Sequence, residues 1–258
     1  MIKKLDVNSQ VCYICGMTRL ADQIAEKINS LPRDVSFGYG QLGLSKQDYS
    51  SAAKILERQR KKGIIKKLSK GVFYKPKMTA FGEKKPSEEQ ILKPYLYSNG
   101  EREAYLTGTY LYNQMGLTTQ VPTTIQIASR DKRIFINRGT VKATPVKSYV
   151  DVSEENYKLL GLLDALKDLK QIPDVDINQA GIILKNQIGS LKNKQLAALI
   201  EYALKYPPRV QALLGAILSD IGKKQKTKEL MEGLNPLTVF KLGLNTEQFP
   251  SAQEWNIQ

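Results

Sequence analysis

The sequence predicts an α+β protein, mainly helical, built from two domains. A chain of 258 residues with 41% hydrophobic content is long enough to bury one large or two small cores. Apolar residues recur at helical spacing over most of the chain, whereas β-branched stretches broken by turn signals fall within 64–77 and 121–150. No apolar run approaches about 18 residues and no signal-peptide core follows the N-terminus, so we expect a cytoplasmic protein with no membrane partner.

The first domain is predicted over residues 1–77 and begins with a helix over 19–31, which Pro32 closes. A second helix is predicted over 46–62, with Ser45 as its N-cap and Gly63 just past its end. The first helix carries one apolar stripe, made of Leu20, Ile24, Ile28 and Leu31.

The second helix is amphipathic and leads into a hairpin. The segments 64–68 and 72–75 read as strands, joined by Ser69-Lys70-Gly71, in which glycine supplies the left-handed position. On a helical wheel the apolar side holds Tyr49, Ala52, Ala53 and Leu56. Helix, connection, helix and hairpin is the order of a winged helix-turn-helix, a fold that places its second helix in the major groove of DNA.

Positive charge is concentrated in the second helix and the hairpin. Residues 45–77 carry eleven Lys or Arg against Asp48 and Glu57, a net charge of +9. Residues 91–150 carry a net charge of +5, and residues 151–258 carry thirteen basic and thirteen acidic side chains. The whole of the overall +14 therefore lies in the first 150 residues, which indicates a polyanionic partner for that part of the chain.

The predicted DNA-binding residues lie on the polar face of the second helix and on the hairpin. Gln47 suits an adenine edge, the cationic side chains further along the helix suit phosphates, and the hairpin lysines suit an adjacent backbone or minor groove. The full set is Ser45, Lys46, Gln47, Ser50, Ser51, Lys54, Arg58, Lys61, Lys66, Lys67 and Lys70.

The rest of the chain is predicted as a linker over 78–90 and a second domain over 91–258. Within the second domain we expect a helix over 101–116, a small antiparallel sheet over 121–150 and helices over 153–245. A leucine stripe at helical spacing is typical of a core. Zero net charge over these helices argues against nucleic acid as their main partner.

The amino-acid composition excludes several kinds of catalytic site and metal site. The chain has no histidine, which excludes Ser-His-Asp and Cys-His catalysis and every histidine-ligated metal centre. Cys12 and Cys15, its two cysteines, cannot complete a zinc site alone, and we interpret them as reduced thiols whose role the sequence leaves open. We therefore expect no catalysis, no cofactor and no metal.

Several segments together resemble the AbiEi family, the antitoxins of type IV toxin–antitoxin (abortive infection) systems. They are KGIIKKLSKGVFYKP, YLTGTYLYNQMGLTTQVP, YPPRVQALLGAIL and LNPLTVFKLGL, in a consistent order between about residues 20 and 245. The resemblance implies an N-terminal winged helix that binds repeats in its own promoter, as a transcriptional repressor of its operon. It also implies a C-terminal domain, beginning at YLTGTYLYNQMGLTTQVP, that counters a toxin of nucleotidyltransferase fold.

The same resemblance leaves several points open. Direct toxin contact does not follow from it, an orphan regulator without a toxin is an alternative, and a homodimer on DNA is compatible with it. By analogy a second basic region adds DNA backbone contacts, through Arg130, Lys132, Arg133, Arg138, Lys142 and Lys147.

Two other classes of function stay open at this point. An RNA-binding module would use Phe73 and Tyr74, interleaved with the hairpin lysines, to stack on bases. A metal-dependent nuclease would need clustered carboxylates, but the acidic residues are scattered through 151–258, away from the basic region.

Overall fold

A computed structural model describes residues 20–69, 71–80, 82–84, 87–98, 100–138 and 141–258. It divides into two units, Met1–Pro94 and Tyr95–Gln258. Both contain helices and small sheets, so the α+β class predicted from the sequence is confirmed. Cys12, Cys15 and Lys70 lie outside the described residues.

The first unit alternates helices with a three-stranded antiparallel sheet. Its elements run α1 Leu20–Ser30, β1 Ser36–Gly38, α2 Tyr49–Lys61, β2 Lys66–Ser69 and β3 Val72–Tyr74. Single 3-10 turns, Gly40–Leu42 and Lys46–Asp48, separate β1 from α2. The strand order is β1-β3-β2, so the first strand completes the sheet beside the far arm of the hairpin.

One apolar core holds the helices of this unit against its sheet. Ala52 and Leu56 of α2 are fully buried, but Ala53, which the helical wheel assigned to the apolar side, is exposed, and half-buried Ile55 packs on the core instead. Gly63 ends α2 at φ 73°, and Gly71 takes φ 76° in the hairpin, as the sequence predicted. The buried set is Ile24, Ile28, Phe37, Leu42, Ala52, Leu56, Ile65 and Phe73.

The segment predicted as a linker over 78–90 contains secondary structure in the residues that the structure describes. Strands β4 Lys77–Thr79 and β5 Gly82–Lys84 form an antiparallel hairpin, and α3 spans Glu88–Leu96. Lys84 pairs with Asp34 at 2.6 Å, which anchors the hairpin to the rest of the unit. Contacts such as this ion pair join residues far apart in the sequence, so they leave no periodic pattern in it.

The second unit begins with strands and one short helix. The short ladder β6 Tyr97–Ser98 and β7 Glu101–Arg102 precedes β8 Ala104–Thr107 and α4 Thr109–Gln114. The helix predicted over 101–116 is thus wrong in its first half, because Tyr, Leu and Thr at 105–107 pair as a strand and Gly108 turns the chain at φ 69°.

The main sheet of this unit is mixed. Its strands β9 Ile125–Ser129, β10 Ile136–Arg138 and β11 Val141–Lys147 join β8 in the order β10-β11-β9-β8. Strand β11 runs antiparallel to β10 but parallel to β9, with Ala143 opposite Ile125. The prediction of an antiparallel sheet over 121–150 holds for the outer pairs and is wrong for the central one, because β11 inserts between two strands that precede it.

Helices complete the second unit: α5 Tyr157–Asp168, α6 Ile177–Gly189, α7 Asn193–Ala203, α8 Pro208–Asp220 and α9 Lys228–Glu232. Asp176 caps α6 by accepting hydrogen bonds from Asn178 N and Gln179 N, and Pro208 opens α8. Most residues of α8 are buried in the core of the unit. Among the described residues, no helix is long and apolar enough to cross a membrane.

A buried polar network lies at the centre of this unit. The hydroxyls of Tyr105 and Thr107 donate to Asp164 Oδ2 at 2.8 and 2.7 Å, and Tyr206 donates to Asp164 Oδ1 at 3.2 Å. Burial raises the pKa of Asp164. Burial likewise raises the pKa of Tyr105 and of Tyr206, so their hydroxyls stay protonated and donate to the carboxyl group.

Candidate nucleic-acid interface

Helix α2 buries one side and exposes the other. With Ala52 and Leu56 in the core, the opposite side faces solvent along its whole length. The structure therefore brings the predicted polar residues of this helix onto one exposed face, which together with the exposed Gln47 of the preceding 3-10 turn is here called the α2 face. Its members are Gln47, Ser50, Ser51, Lys54, Arg58 and Lys61.

The residues before α2 form a tight turn. Ser45 is exposed, and its Oγ donates to Asp48 Oδ2 at 2.6 Å. Asp48, not Ser45, occupies the N-cap position of the α-helix, and it makes no side-chain hydrogen bond to the helix N-terminus. Lys46 opens the 3-10 turn Lys46–Asp48. The hydroxyl of Ser45 is thus engaged by Asp48, whereas Gln47 is exposed at the start of the α2 face.

The acidic residue within α2 is paired with a neighbour outside the predicted set. Glu57 accepts two hydrogen bonds from Arg60, at 2.9 and 2.6 Å, and these bonds hold the pKa of Glu57 below its usual value. In the described part of the chain, Lys54, Arg58 and Lys61 form no ion pair. The positive charge of the α2 face is therefore available to a partner.

The hairpin β2–β3 brings two further predicted lysines to the surface. Lys67 is exposed, next to an irregularity in the strand register between Lys67 and Ser69. Lys66 is exposed too, but it forms an ion pair with Glu83 of β5. Sequence reasoning missed Glu83 as a partner of this site, because it lies within the segment assigned to a linker. The charge of Lys66 is thus already matched within the first unit.

The aromatic residues of the hairpin point inward. Phe73 and Tyr74 are 5% and 6% exposed, and the Tyr74 hydroxyl donates to Glu83 Oε1 at 2.8 Å. Burial, together with this hydrogen bond, raises the pKa of Tyr74 to about 12. In this conformation Phe73 and Tyr74 are buried, so they do not offer their rings for the base stacking that the RNA-binding alternative proposes.

The second basic region lies on the main sheet of the second unit. Two of its six side chains that were predicted to contact DNA already bind other groups of the protein. Arg130 donates to the carbonyls of Ser148 and Tyr149 at 3.2 and 3.0 Å, and Lys132 pairs with Glu103. Arg138 ends β10, where its backbone pairs with Val141. The remaining three are exposed: Arg133, Lys142 and Lys147.

A shallow cleft of about 490 Å³ brings part of this second region together. Arg133 and Lys147 line it together with Phe135, whose side chain is 71% exposed. Phe135 was not singled out from the sequence, because an aromatic residue in the segment KRIFINR reads as an inward-facing strand residue. Over the described ranges, no group of three or more Asp, Glu, Cys or His side chains is placed to hold a metal ion.

The fold and this surface define an α+β protein with a basic, solvent-exposed helix beside a lysine-bearing hairpin. The chain belongs to a family of unknown function, DUF6088, whose model matches residues 23–189. None of the curated proteins matches the sequence. Among solved structures, the RV2827C protein from Mycobacterium tuberculosis is similar at 11% sequence identity and a TM-score of 0.48, over 85% of this chain and 83% of that one.

Proposed function

We propose that this protein is a sequence-specific DNA-binding transcriptional repressor that acts as the antitoxin of a type IV toxin–antitoxin system and represses its own operon. The observation that carries the DNA-binding part is the α2 face, on which Lys54, Arg58 and Lys61 form no ion pair with any residue that the structure describes, and Gln47 lies just before the helix begins. No cofactor and no catalytic step belong to this function.

The order of elements supports a winged helix. Helix α1, strand β1, helix α2 and the hairpin β2–β3, with the sheet order β1-β3-β2, match the arrangement in which a recognition helix is followed by a wing. Helix α2 has thirteen residues, a length of roughly 20 Å, and its outer face is polar throughout. A helix of this kind fits the major groove, which is about 12 Å wide.

The position of each side chain gives it a role on DNA. Ser50 and Ser51 lie in the first turn of α2 and Gln47 lies in the 3-10 turn just before it, at the end of the helix where a recognition helix reaches base edges. Lys54, Arg58 and Lys61 extend along the same face toward the sugar-phosphate backbone, and Lys67 adds a contact from the wing. Lys66 adds less than its charge suggests, since Glu83 neutralises it.

The antitoxin part depends on the resemblance to AbiEi proteins, and the helices of the second unit are its proposed carrier. Residues 151–258 have no net charge and several exposed apolar side chains, including Leu237 at 88% exposure. A surface of this kind is compatible with a protein partner, either a second copy on DNA or a toxin of nucleotidyltransferase fold, and direct contact with the toxin is not required for neutralisation.

Titration of DNA by fluorescence anisotropy tests the DNA-binding part. The probes are a duplex from directly upstream of the gene and a shuffled duplex of equal length. We expect tighter binding to the upstream duplex and a log–log salt slope of about −0.9 per phosphate neutralised. Lys54→Ala should weaken binding to both duplexes, whereas Gln47→Ala should reduce the preference between them by roughly 1–3 kcal/mol.

The matched control is Lys194→Ala, which removes one exposed lysine from α7 of the second unit. It should change affinity by much less than Lys54→Ala does. Equal affinity for both duplexes, unchanged by Gln47→Ala, would refute the specific regulator. Preference for single-stranded RNA at matched salt would favour the RNA-binding alternative.

The antitoxin part has its own test in cells. We expect an adjacent reading frame of nucleotidyltransferase fold to arrest growth when expressed alone, and co-expression of this protein to restore growth. If no adjacent gene is toxic, or if this protein gives no protection, the antitoxin assignment fails and the protein is an orphan regulator.

A further inference from the structure

A second pocket, unrelated to the α2 face, lies within the second unit. It has a volume of about 220 Å³ and forms where the end of α5 and the turn Leu169–Gln171 meet the start of α8 and the segment 239–242. Four of its lining side chains are cationic and none is a carboxylate: Lys167, Lys170, Arg209 and Lys241.

One of these cations already has partners. Lys167 Nζ lies 3.5 Å from Asp164 Oδ1 and 3.6 Å from Asp168 Oδ2, and its side chain is 14% exposed. It therefore belongs to the buried polar network and contributes little net charge to the pocket.

The other three cations have no carboxylate partner in the part of the chain that the structure describes. Lys170 Nζ donates to the carbonyl oxygen of Lys241 at 2.9 Å, a bond that holds one wall of the pocket to the other without neutralising either charge. Arg209 Nε is buried and makes no hydrogen bond among the described residues. A buried N–H that lacks an acceptor is unfavourable, and the guanidinium group suits bidentate bonds to phosphate.

We propose that this pocket binds the phosphate group of a small phosphomonoester. Such a group carries a charge of about −1.5 to −2 at neutral pH and three acceptor oxygens, which match a guanidinium and two ammonium groups better than a monocarboxylate does. Val239 and Phe240 supply an apolar wall against which the organic part of the ligand packs. The volume is below the roughly 300–1,000 Å³ of typical drug-sized sites, so the ligand is small.

Calorimetric titration of the full chain with phenyl phosphate, inorganic phosphate and benzoate tests the inference. We expect saturable binding of phenyl phosphate at one site, with weaker binding of phosphate, which lacks the apolar group, and of benzoate, which lacks the second charge. Arg209→Gln should weaken phenyl phosphate binding by at least about tenfold. Lys241→Gln, at an exposed position that does not endanger folding, should weaken it as well.

Lys194→Gln is the control, since it removes an equivalent exposed charge outside the pocket. Absence of saturable binding, or equal weakening by Lys194→Gln and Lys241→Gln, would overturn the site. Equal affinity for phosphate and phenyl phosphate would overturn the role of the apolar wall. DNA binding is not involved in any of these outcomes, so they stand apart from the proposed function.

Discussion

Lys66 of strand β2 forms an ion pair with Glu83 of strand β5, so a lysine of the proposed DNA-binding wing is neutralised by a hairpin that follows it in the chain. The same carboxylate accepts a hydrogen bond from the Tyr74 hydroxyl at 2.8 Å. Glu83 thus connects the hairpin β2–β3 to the next hairpin, and by neutralising Lys66 it would reduce the charge that the proposed wing offers to DNA.

Glu83→Gln is therefore expected to strengthen DNA binding. Glutamine keeps an oxygen acceptor for Tyr74 but releases the charge of Lys66 to a phosphate. The salt slope should steepen by up to about 0.9, with a larger gain at low salt. Anisotropy titrations over a range of salt concentrations measure both quantities.

Glu229→Gln is the matched control for this substitution, because it removes an exposed carboxylate from α9 of the second unit. A gain from the overall charge change alone would be the same in both variants. Equal slopes for Glu83→Gln and Glu229→Gln would contradict a role for the Lys66–Glu83 pair.

The cleft on the second unit offers another test of DNA contact. Arg133 and Lys147 line it and form no ion pair in the described residues, so the double variant Arg133→Gln/Lys147→Gln should make the salt slope shallower by up to about 1.8 if both bind phosphates. A slope identical to that of the unmodified protein would show that neither Arg133 nor Lys147 contacts a phosphate.

The core of the second unit gives a prediction on stability. A Cβ added at Gly215 of α8 would overlap the ring of Trp255, which is 2% exposed and donates to Ser219 Oγ at 3.2 Å. Gly215→Ala should therefore lower the free energy of unfolding by roughly 1–3 kcal/mol, because a packed core cannot absorb the added methyl group. Urea denaturation followed by circular dichroism measures the change.

Gly189→Ala is the control, since Gly189 ends α6 with no atom within 4 Å of an added Cβ. Alanine there should be neutral or slightly stabilising. If both variants unfold at the same urea concentration, the contact between Gly215 and Trp255 does not constrain the core.

Alkaline pH should destabilise the second unit steeply. Burial raises the pKa of Tyr105, Tyr112 and Tyr206, so the folded protein keeps three protons that the unfolded chain releases above about pH 10. Because the unfolded state then binds fewer protons, the free energy of unfolding falls as pH rises, by up to about 4 kcal/mol per unit from these three groups. The contribution of these three tyrosines to the free energy of unfolding is fully present below about pH 10.

Urea denaturation at a series of pH values from about 9 to 12 checks this expectation. Tyr105→Phe should reduce the slope of the free energy of unfolding against pH by about one third, because one of the three groups that release a proton on unfolding is then absent. The share of the tyrosinate absorbance that comes from Tyr105, Tyr112 and Tyr206 should rise together with unfolding. Ionisation of these tyrosines well before unfolding would contradict their burial around Asp164.

The local elements of the first unit could be predicted from sequence because their signals are local. The apolar spacing around α2, Gly63 at its end and Gly71 in the hairpin each act within a few residues, and the structure confirms them. The exposure of the α2 face follows from the same spacing. Ala53 was misassigned because a small side chain at the edge of an apolar stripe is compatible with either side.

The remaining errors concern contacts between distant residues. Lys66 and Glu83 are 17 positions apart, and no periodicity relates them. The parallel pairing of β9 with β11 depends on where the chain returns after β10, which neither strand encodes alone. The pocket around Arg209 joins residues from three separate segments, so its cations do not form a run in the sequence.

The insertion of β11 between β9 and β10 has a consequence for biosynthesis. Until Val141–Lys147 has left the ribosome, β9 has a partner on one side only and β10 has none. The two edges that β11 later covers, one on β9 and one on β10, are therefore exposed in the nascent chain, and such edges are the usual starting points of aggregation. A translation stop before Val141 would leave both of them uncovered permanently.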